Sequence, residues 1–219
     1  MRLVLFIIVA FYEAYKTKGK TMRKRALGLI IAVCSAPATA DGQLSAELLL
    51  GTADQKSTTT FMGESESTSG DDLSLGIRGS YRVNQNLALE IAYHNYGETD
   101  DTYIDSFGDT INNKVSSTAF NLGVKGMLPL DSGITLHGRI GVGIWDVEFW
   151  GTDSAFPGEV FTADDSGNDI YYGIGLQYDV SPQVSIGAEY TMTEMGVSAE
   201  GIAVDHEVKN LALSLGFRF

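Results

Sequence analysis

The chain is short of cysteine, proline and positive charge, and the shortages narrow its chemistry. One residue in 219 is cysteine, Cys34. It falls in a leader-like amino-terminal stretch, so the chain beyond it has no disulfide and no thiolate nucleophile or metal ligand. Proline is scarce and glycine frequent, at 4 against 25. Lys and Arg together number 15 against 28 Asp and Glu. Seven of the basic residues and one acid lie in residues 1–40, leaving 8 against 27 and a net charge of −19 for residues 41–219. So acidic a chain is a poor partner for nucleic acid and a plausible one for divalent cations. Beyond the amino terminus there is no run of about 20 apolar residues to cross a membrane as a helix. That absence does not argue against a membrane barrel, where only alternate residues meet lipid. The length suits a single all-β domain.

The amino terminus reads as a secretory signal. Met22-Arg23-Lys24-Arg25 is a basic opening, Ala26–Val33 a short apolar run, and Ala38-Thr39-Ala40 a small-x-small cleavage site. The expected mature start is near Asp41. Residues 1–21 look superfluous, which makes Met22 the expected initiator. A lipoprotein leader acylated at Cys34 is the rival reading, but Val33 stands where such sites want a small residue. The expected organisation is therefore a leader over residues 1–40 and one barrel domain over residues 41–219.

The last nine residues carry the clearest pattern. Leu211, Leu213, Leu215, Phe217 and Phe219 alternate with Ala212, Ser214, Gly216 and Arg218. Period two makes a strand with one apolar face. The ending at Leu215, Phe217 and Phe219 resembles the C-terminal signature of Gram-negative outer-membrane barrels, which their assembly machinery reads. Seven more segments alternate in the same way, near 44–53, 73–82, 87–95, 116–128, 134–147, 169–179 and 184–193. Short turns (83–86, 129–133, 180–183) alternate with long polar segments (54–72, 97–114, 148–168, 194–207). An even strand number with alternating long and short connections is expected of an all-β, eight-stranded antiparallel up-and-down transmembrane β-barrel. A soluble ligand-binding barrel would need polar residues on its outer face. Here the second face is mostly Gly, Ser and Ala, which suits a crowded narrow lumen. Tyr81, Tyr93, Tyr178, Tyr190, Phe217 and Phe219 fall near strand ends on the apolar face, where interface aromatics belong.

With the apolar face outward, Glu47, Arg78, Glu90, Lys125, Arg139 and Glu189 point into the lumen. Three acids and three bases are a balanced set, and buried charges are tolerated only when paired. The set is either a gate for a small pore or a structural plug. The plug is favoured, because side chains can fill the interior of an eight-stranded barrel.

The segments Gly79–Tyr93, Val124–Leu130 and Arg139–Trp145, with the Phe219 ending, resemble the transmembrane domain of outer membrane protein A. The similarity runs over about 73–219. It implies an outer-membrane barrel with periplasmic termini and four surface loops. It also implies a lumen pair between Glu90, at the family glutamate of the third strand, and Lys125, at the lysine of the fourth. The family's second pair has no counterpart, since Gln177 and Gly187 stand at its positions. The periplasmic peptidoglycan-binding domain of longer members is not expected here, and cell-wall tethering is not implied.

No nucleophile motif surrounds the three histidines, so an enzyme is not expected. A lipid-modifying hydrolase is a distant alternative. His94 and His137 fall on the inward face, and His206 in the last loop beside Asp205 and Glu207. Nothing calls for a cofactor. The expected partners are outer-membrane lipid, lipopolysaccharide, the barrel assembly machinery, and a host or phage ligand at the loops. The loops are acidic, with Asp71 and Asp72 in the first, Asp100, Asp101 and Asp105 in the second, and Asp164 and Asp165 in the third. They have no dedicated metal-site spacing, and solvated polar loops are the plainer reading. Hard cations seek several carboxylate oxygens, so weak Ca²⁺ or Mg²⁺ bridging to lipopolysaccharide phosphates is the sharper one. If it holds, spin-label mobility on these segments falls when Ca²⁺ is added; unchanged mobility removes the idea.

Overall fold

The computed structural model describes residues 43–61, 64–104, 108–199 and 202–219. The expected leader, the Met22 start and the cleavage site near Asp41 lie outside the described residues. Eight strands follow one another: β1 Leu44–Phe61, β2 Glu64–Asn84, β3 Leu87–Ile104, β4 Thr110–Pro129, β5 Ile134–Asp153, β6 Phe161–Asp179, β7 Val184–Ala199 and β8 Ile202–Arg218. Each pairs antiparallel with the next, and β8 returns to β1 to close the barrel. The closing seam sets Ala46 opposite Phe217, Leu48 opposite Leu215 and Leu50 opposite Leu213. The Phe219 N–H donates to the Leu44 carbonyl. Over the lower part of the barrel every strand is paired on both sides, which is what hydrocarbon demands; above it the β2–β3 ladder ends at Leu75 and Asn95 and the β6–β7 ladder at Tyr171 and Thr193.

The side chains are sorted inside out relative to a soluble protein. Leu213 is 66% exposed and Ile170 60%, whereas Arg78 and Glu189 are each 2% exposed. Leu49 follows the alternation set by Glu47 despite its apolar side chain. It lies between Leu48 and Leu50 and turns inward, buried at the lumen wall. Tyr81, Tyr178 and Phe219 are exposed on the outer surface beside the short turns, and Tyr190 is exposed further up. A tilted strand needs about 9–11 residues to cross the hydrocarbon. These strands run from 16 residues in β7 to 21 in β2.

The excess length corrects the expectation of long surface loops. Most of 54–72, 97–114, 148–168 and 194–207 continues the ladders as hairpin arms. Polarity on the outward face concealed this, because a strand standing in water needs no apolar outer face. Inside, the alternation persists through Ala53, Tyr96, Ala119, Trp145, Val147, Met195 and Val208, which pack into one buried apolar cluster. Val115 and Phe149 lean against it. Where the ladders continue into the arms, they pair backbone groups that a loop would leave to water. β3 is interrupted once, by a register shift between Asn95 and Glu98. There Gly97 takes φ +83°, a left-handed conformation that glycine adopts without penalty. The Asp72 carboxylate accepts the Glu98 N–H at 2.6 Å across the shift.

Small residues on the inner wall make room for large ones from neighbouring strands. Gly123 and Gly141 are paired across β4 and β5, and the Tyr171 ring lies against both. A Cβ on Gly141 would stand 2.1 Å from the Leu122 carbonyl oxygen and 2.6 Å from that ring. Gly126, on the outward face, would meet nothing closer than 3.9 Å. Gly141→Ala is therefore expected to destabilise the barrel by about 1–3 kcal/mol through overpacking. Gly126→Ala should stay within about 0.5 kcal/mol of the parent. Urea unfolding in lipid vesicles compares the two, and equal midpoints would contradict the packing argument.

Candidate functional site: a charged lumen under an apolar cap

The structure brings all six inward charges into one network. Glu47 and Arg78 are direct cross-strand neighbours, and Arg78 Nη1 donates to Glu47 Oε2 at 2.7 Å. Arg78 also reaches across the lumen to Glu189, donating from Nη2 to Oε1 at 2.6 Å and from Nη1 to Oε2 at 2.9 Å. Arg139 meets the same carboxylate, Nη2 to Oε2, at 3.0 Å. Glu90 lies 3.8 Å from Arg78 Nε and 3.8 Å from Arg139 Nη1, and the Ser80 hydroxyl donates to it at 3.4 Å. Lys125 Nζ completes the set at 3.3 Å from Glu47 Oε1 and 3.1 Å from Gln177 Oε1. Lys125 and Arg139 sit directly opposite each other across β4 and β5, a repulsive placement that the three carboxylates offset. All six residues are buried, so removing one partner would cost about 3–5 kcal/mol.

One implied pairing is not present. Among the described residues no ion pair joins Glu90 to Lys125. Two arginines flank Glu90, and their planar, multi-donor heads suit a shared carboxylate better than an ammonium does. Lys125 turns to Glu47 instead.

A second closure lies above the charges. His94 is buried and its ring stacks on Tyr96, with centroids 5.5 Å apart. Gln55 Nε2 donates to the Tyr96 carbonyl at 3.0 Å, and Gln55 Oε1 accepts from the Ser117 hydroxyl at 2.6 Å. Trp145 Nε1 donates to Asp169 at 2.9 Å. With Val147, Met195 and Val208 these side chains form an apolar cap over the ionic layer. Met195 falls in the segment 194–207 that the sequence pattern marks as a loop. The alternation Trp145, Val147, Phe149, each next to a polar residue, was the available signal.

His206 also moves from loop to wall. It lies in β8 opposite Ser57 of β1 and Met195 of β7, and Ser57 Oγ and its Nδ1 are 2.7 Å apart. Its Nε2 is buried with no hydrogen-bond partner. A serine and a histidine in contact are two parts of a hydrolytic triad, but no carboxylate holds the second nitrogen. Asp205 is exposed rather than turned inward with His206. His137 is buried in the lumen against Arg139, 3.3 Å from its Nη2.

The acidic residues of the outer arms are dispersed. Asp54 faces Asp71, Ala53 faces Asp72, and Glu148 faces Asp164 across their ladders. Asp100 pairs with Lys114 at 3.2 Å, and Glu98 with the same lysine at 2.9 Å. Asp101 sits opposite Asn113, and Asp165 accepts the Ser166 N–H at 2.7 Å. Asp105 lies outside the described residues. Among the described residues no three His, Cys, Asp or Glu side chains converge to hold a metal ion.

Burial lowers the His206 pKa from the usual 6.5 to about 4. The folded barrel therefore disfavours protonation that the unfolded chain accepts. Its contribution is complete above pH 6.5 and is lost as the pH falls from there toward 4, by at most about 3 kcal/mol. Between pH 7.5 and 4.5 the parent should lose more unfolding free energy than His206→Gln in the same vesicles. Equal losses would show that His206 does not contribute.

Comparison with known proteins completes the site's context. A profile of the outer membrane protein beta-barrel domain family matches residues 26–219. Outer membrane protein A of Shigella flexneri is 25% identical over 162 residues, covering 74% of this chain and 44% of that protein. Outer membrane protein A of Salmonella typhi matches to the same extent. The chain thus spans less than half the length of these curated relatives. Among solved structures, the outer membrane protein OprG from Pseudomonas aeruginosa superposes with a TM-score of 0.52 at 11% identity, covering 80% of this chain and 95% of that one. That likeness concerns the fold alone. An outward apolar belt, a closed ladder of eight strands and a charged lumen agree with the profile match: the chain belongs to the outer membrane protein beta-barrel domain family.

Proposed function

We propose that this protein is a closed outer-membrane barrel with a structural and surface-contact role, rather than a conducting pore or an enzyme. The observation that carries the reading is the double closure of the lumen. A permeating ion would have to separate Arg78 from Glu47 and Glu189, and then pass the cap of Tyr96, Trp145, Val147, Met195 and Val208. Each separated buried pair would cost about 3–5 kcal/mol. The alternative, a small pore gated by the lumen ion pairs, requires both layers to rearrange together.

In this reading the chain is exported through a signal peptide cleaved near Asp41. The assembly machinery inserts it by its β8 ending, and the outer arms meet lipopolysaccharide, host or phage. The strongly acidic arms favour cation-bridged contact with phosphate-rich lipopolysaccharide. Against catalysis stands the Ser57–His206 pair, whose Nε2 lacks the orienting partner that a working dyad uses.

Planar-bilayer recording tests the proposal. The refolded barrel is expected to be electrically silent, with insertion verified independently by protease protection. A Glu90→Gln, Lys125→Met double variant removes one acid and one base, and should also be silent because the apolar cap remains. Discrete openings in the parent that the variant alters would establish the gated pore instead.

A further inference from the structure

The inner mouth of the lumen, at the short-turn end, holds a recess bordered on its inner side by Glu47 and Lys125 of the ion network. Its enclosed part is small, about 20 Å³, and it opens to solvent; its lining includes Arg82, Lys125, Arg218, Glu47, Ser45 and Ser185. Ser45 of β1 stands opposite Ser80 of β2 and Arg218 of β8, so Arg82 and Arg218 flank the start of β1 from its two neighbours. Gly216 keeps the floor open, since a Cβ there would lie 2.5 Å from Ser185 Oγ.

The local charges do not balance. Glu47 is already shared by Arg78 and Lys125. Asp179 is held by Arg218 and by Gln177. Arg82, beside Arg218 at the recess, makes no ion pair among the described residues. Two guanidinium forks, an ammonium and serine hydroxyls therefore surround a polar recess with too few acceptors. Forked donors around a small space match a tetrahedral oxyanion, which accepts from several directions at once. The rim is also where lipid headgroups lie. Tyr81, Tyr178 and Phe219 are exposed on the outer surface at this end, and such aromatics mark a membrane interface.

We infer that the inner mouth is a phosphate-binding site, with Arg82 and Arg218 as its principal donors and Lys125 behind them. The phosphate belongs to a phospholipid headgroup of the adjoining leaflet or to a soluble phosphate compound. The chemistry recognised is the same in both cases.

The test uses the full chain refolded in maltoside micelles, which contain no phosphate. Arginine Nε–Hε resonances are followed during titration with inorganic phosphate and, separately, with short-chain phosphatidylglycerol. The Arg82 and Arg218 signals should shift and saturate. Arg82→Gln should weaken apparent affinity about tenfold or more, and Asp179→Asn should strengthen it by freeing Arg218 from its competitor. Circular dichroism establishes that each variant is folded; if Arg82→Gln does not refold, saturation in the parent and Asp179→Asn decide. Saturation at lower concentration with phosphatidylglycerol identifies the lipid source, and the opposite order the soluble one. Linear, unsaturated shifts with both probes, or an affinity unchanged in Arg82→Gln, overturn the site.

Discussion

A strand in hydrocarbon can send its N–H and C=O groups nowhere except to another strand. Every feature of this molecule follows from meeting that constraint without an open edge. The ladder closes from β8 to β1 through Leu48 and Leu215, Leu50 and Leu213. Closure then divides each strand into a lipid-facing and an enclosed series, and this division makes an exposed Leu213 and a buried Arg78 equally favourable. The enclosed series is crowded, so glycine at 123 and 141 becomes a packing requirement set by the ring of Tyr171.

Crowding also governs the charges. An isolated buried ion would be intolerable, and six ions survive because each carboxylate has a cationic neighbour. The network is interlocked rather than a set of separate pairs. Glu189 bridges Arg78 and Arg139, and Glu47 bridges Arg78 and Lys125. Lys125 and Arg139, forced opposite each other by register, repel unless those carboxylates stand near them. Moving one member therefore disturbs the others, which makes the network a rigid strut across the lumen. The apolar cap adds an independent closure whose strength rests on desolvation instead of charge.

The lipid-facing half of the barrel was legible because one face had to be apolar. The alternation from Leu211 to Phe219 admits one reading in a membrane, and the inward direction of Glu90 or Arg139 comes with it. Pairing within the lumen was not legible. Glu47 meets Lys125 across the barrel, and nothing in the sequence separation of β1 and β4 announces that contact. Leu49 points inward between two outward leucines because it shares the parity of Glu47, which the alternation made legible. The outer arms were mistaken for loops because both of their faces carry polar residues, and water accepts a polar strand as readily as a polar loop. Trp145, Val147 and Phe149 kept the period two that distinguishes them. His206 looked like a loop residue beside two acids until the register placed it against Ser57.

The length of the strands has a consequence for how the protein meets its surroundings. An arm of 18 residues, such as β1, is about 60 Å long at the usual rise per residue. Inclined at about 40°, it climbs roughly 45 Å, some 20 Å more than an apolar band of about 25 Å. The surplus stands as two paired sheets, β7–β8–β1–β2 and β3–β4–β5–β6, rather than as a fringe of tethers. The outer faces of these sheets present Asp54, Asp71, Glu148 and Asp164 on ladders whose register is already set. Whatever touches these arms must come to them from the water side. It then meets a surface with little conformational entropy left to lose.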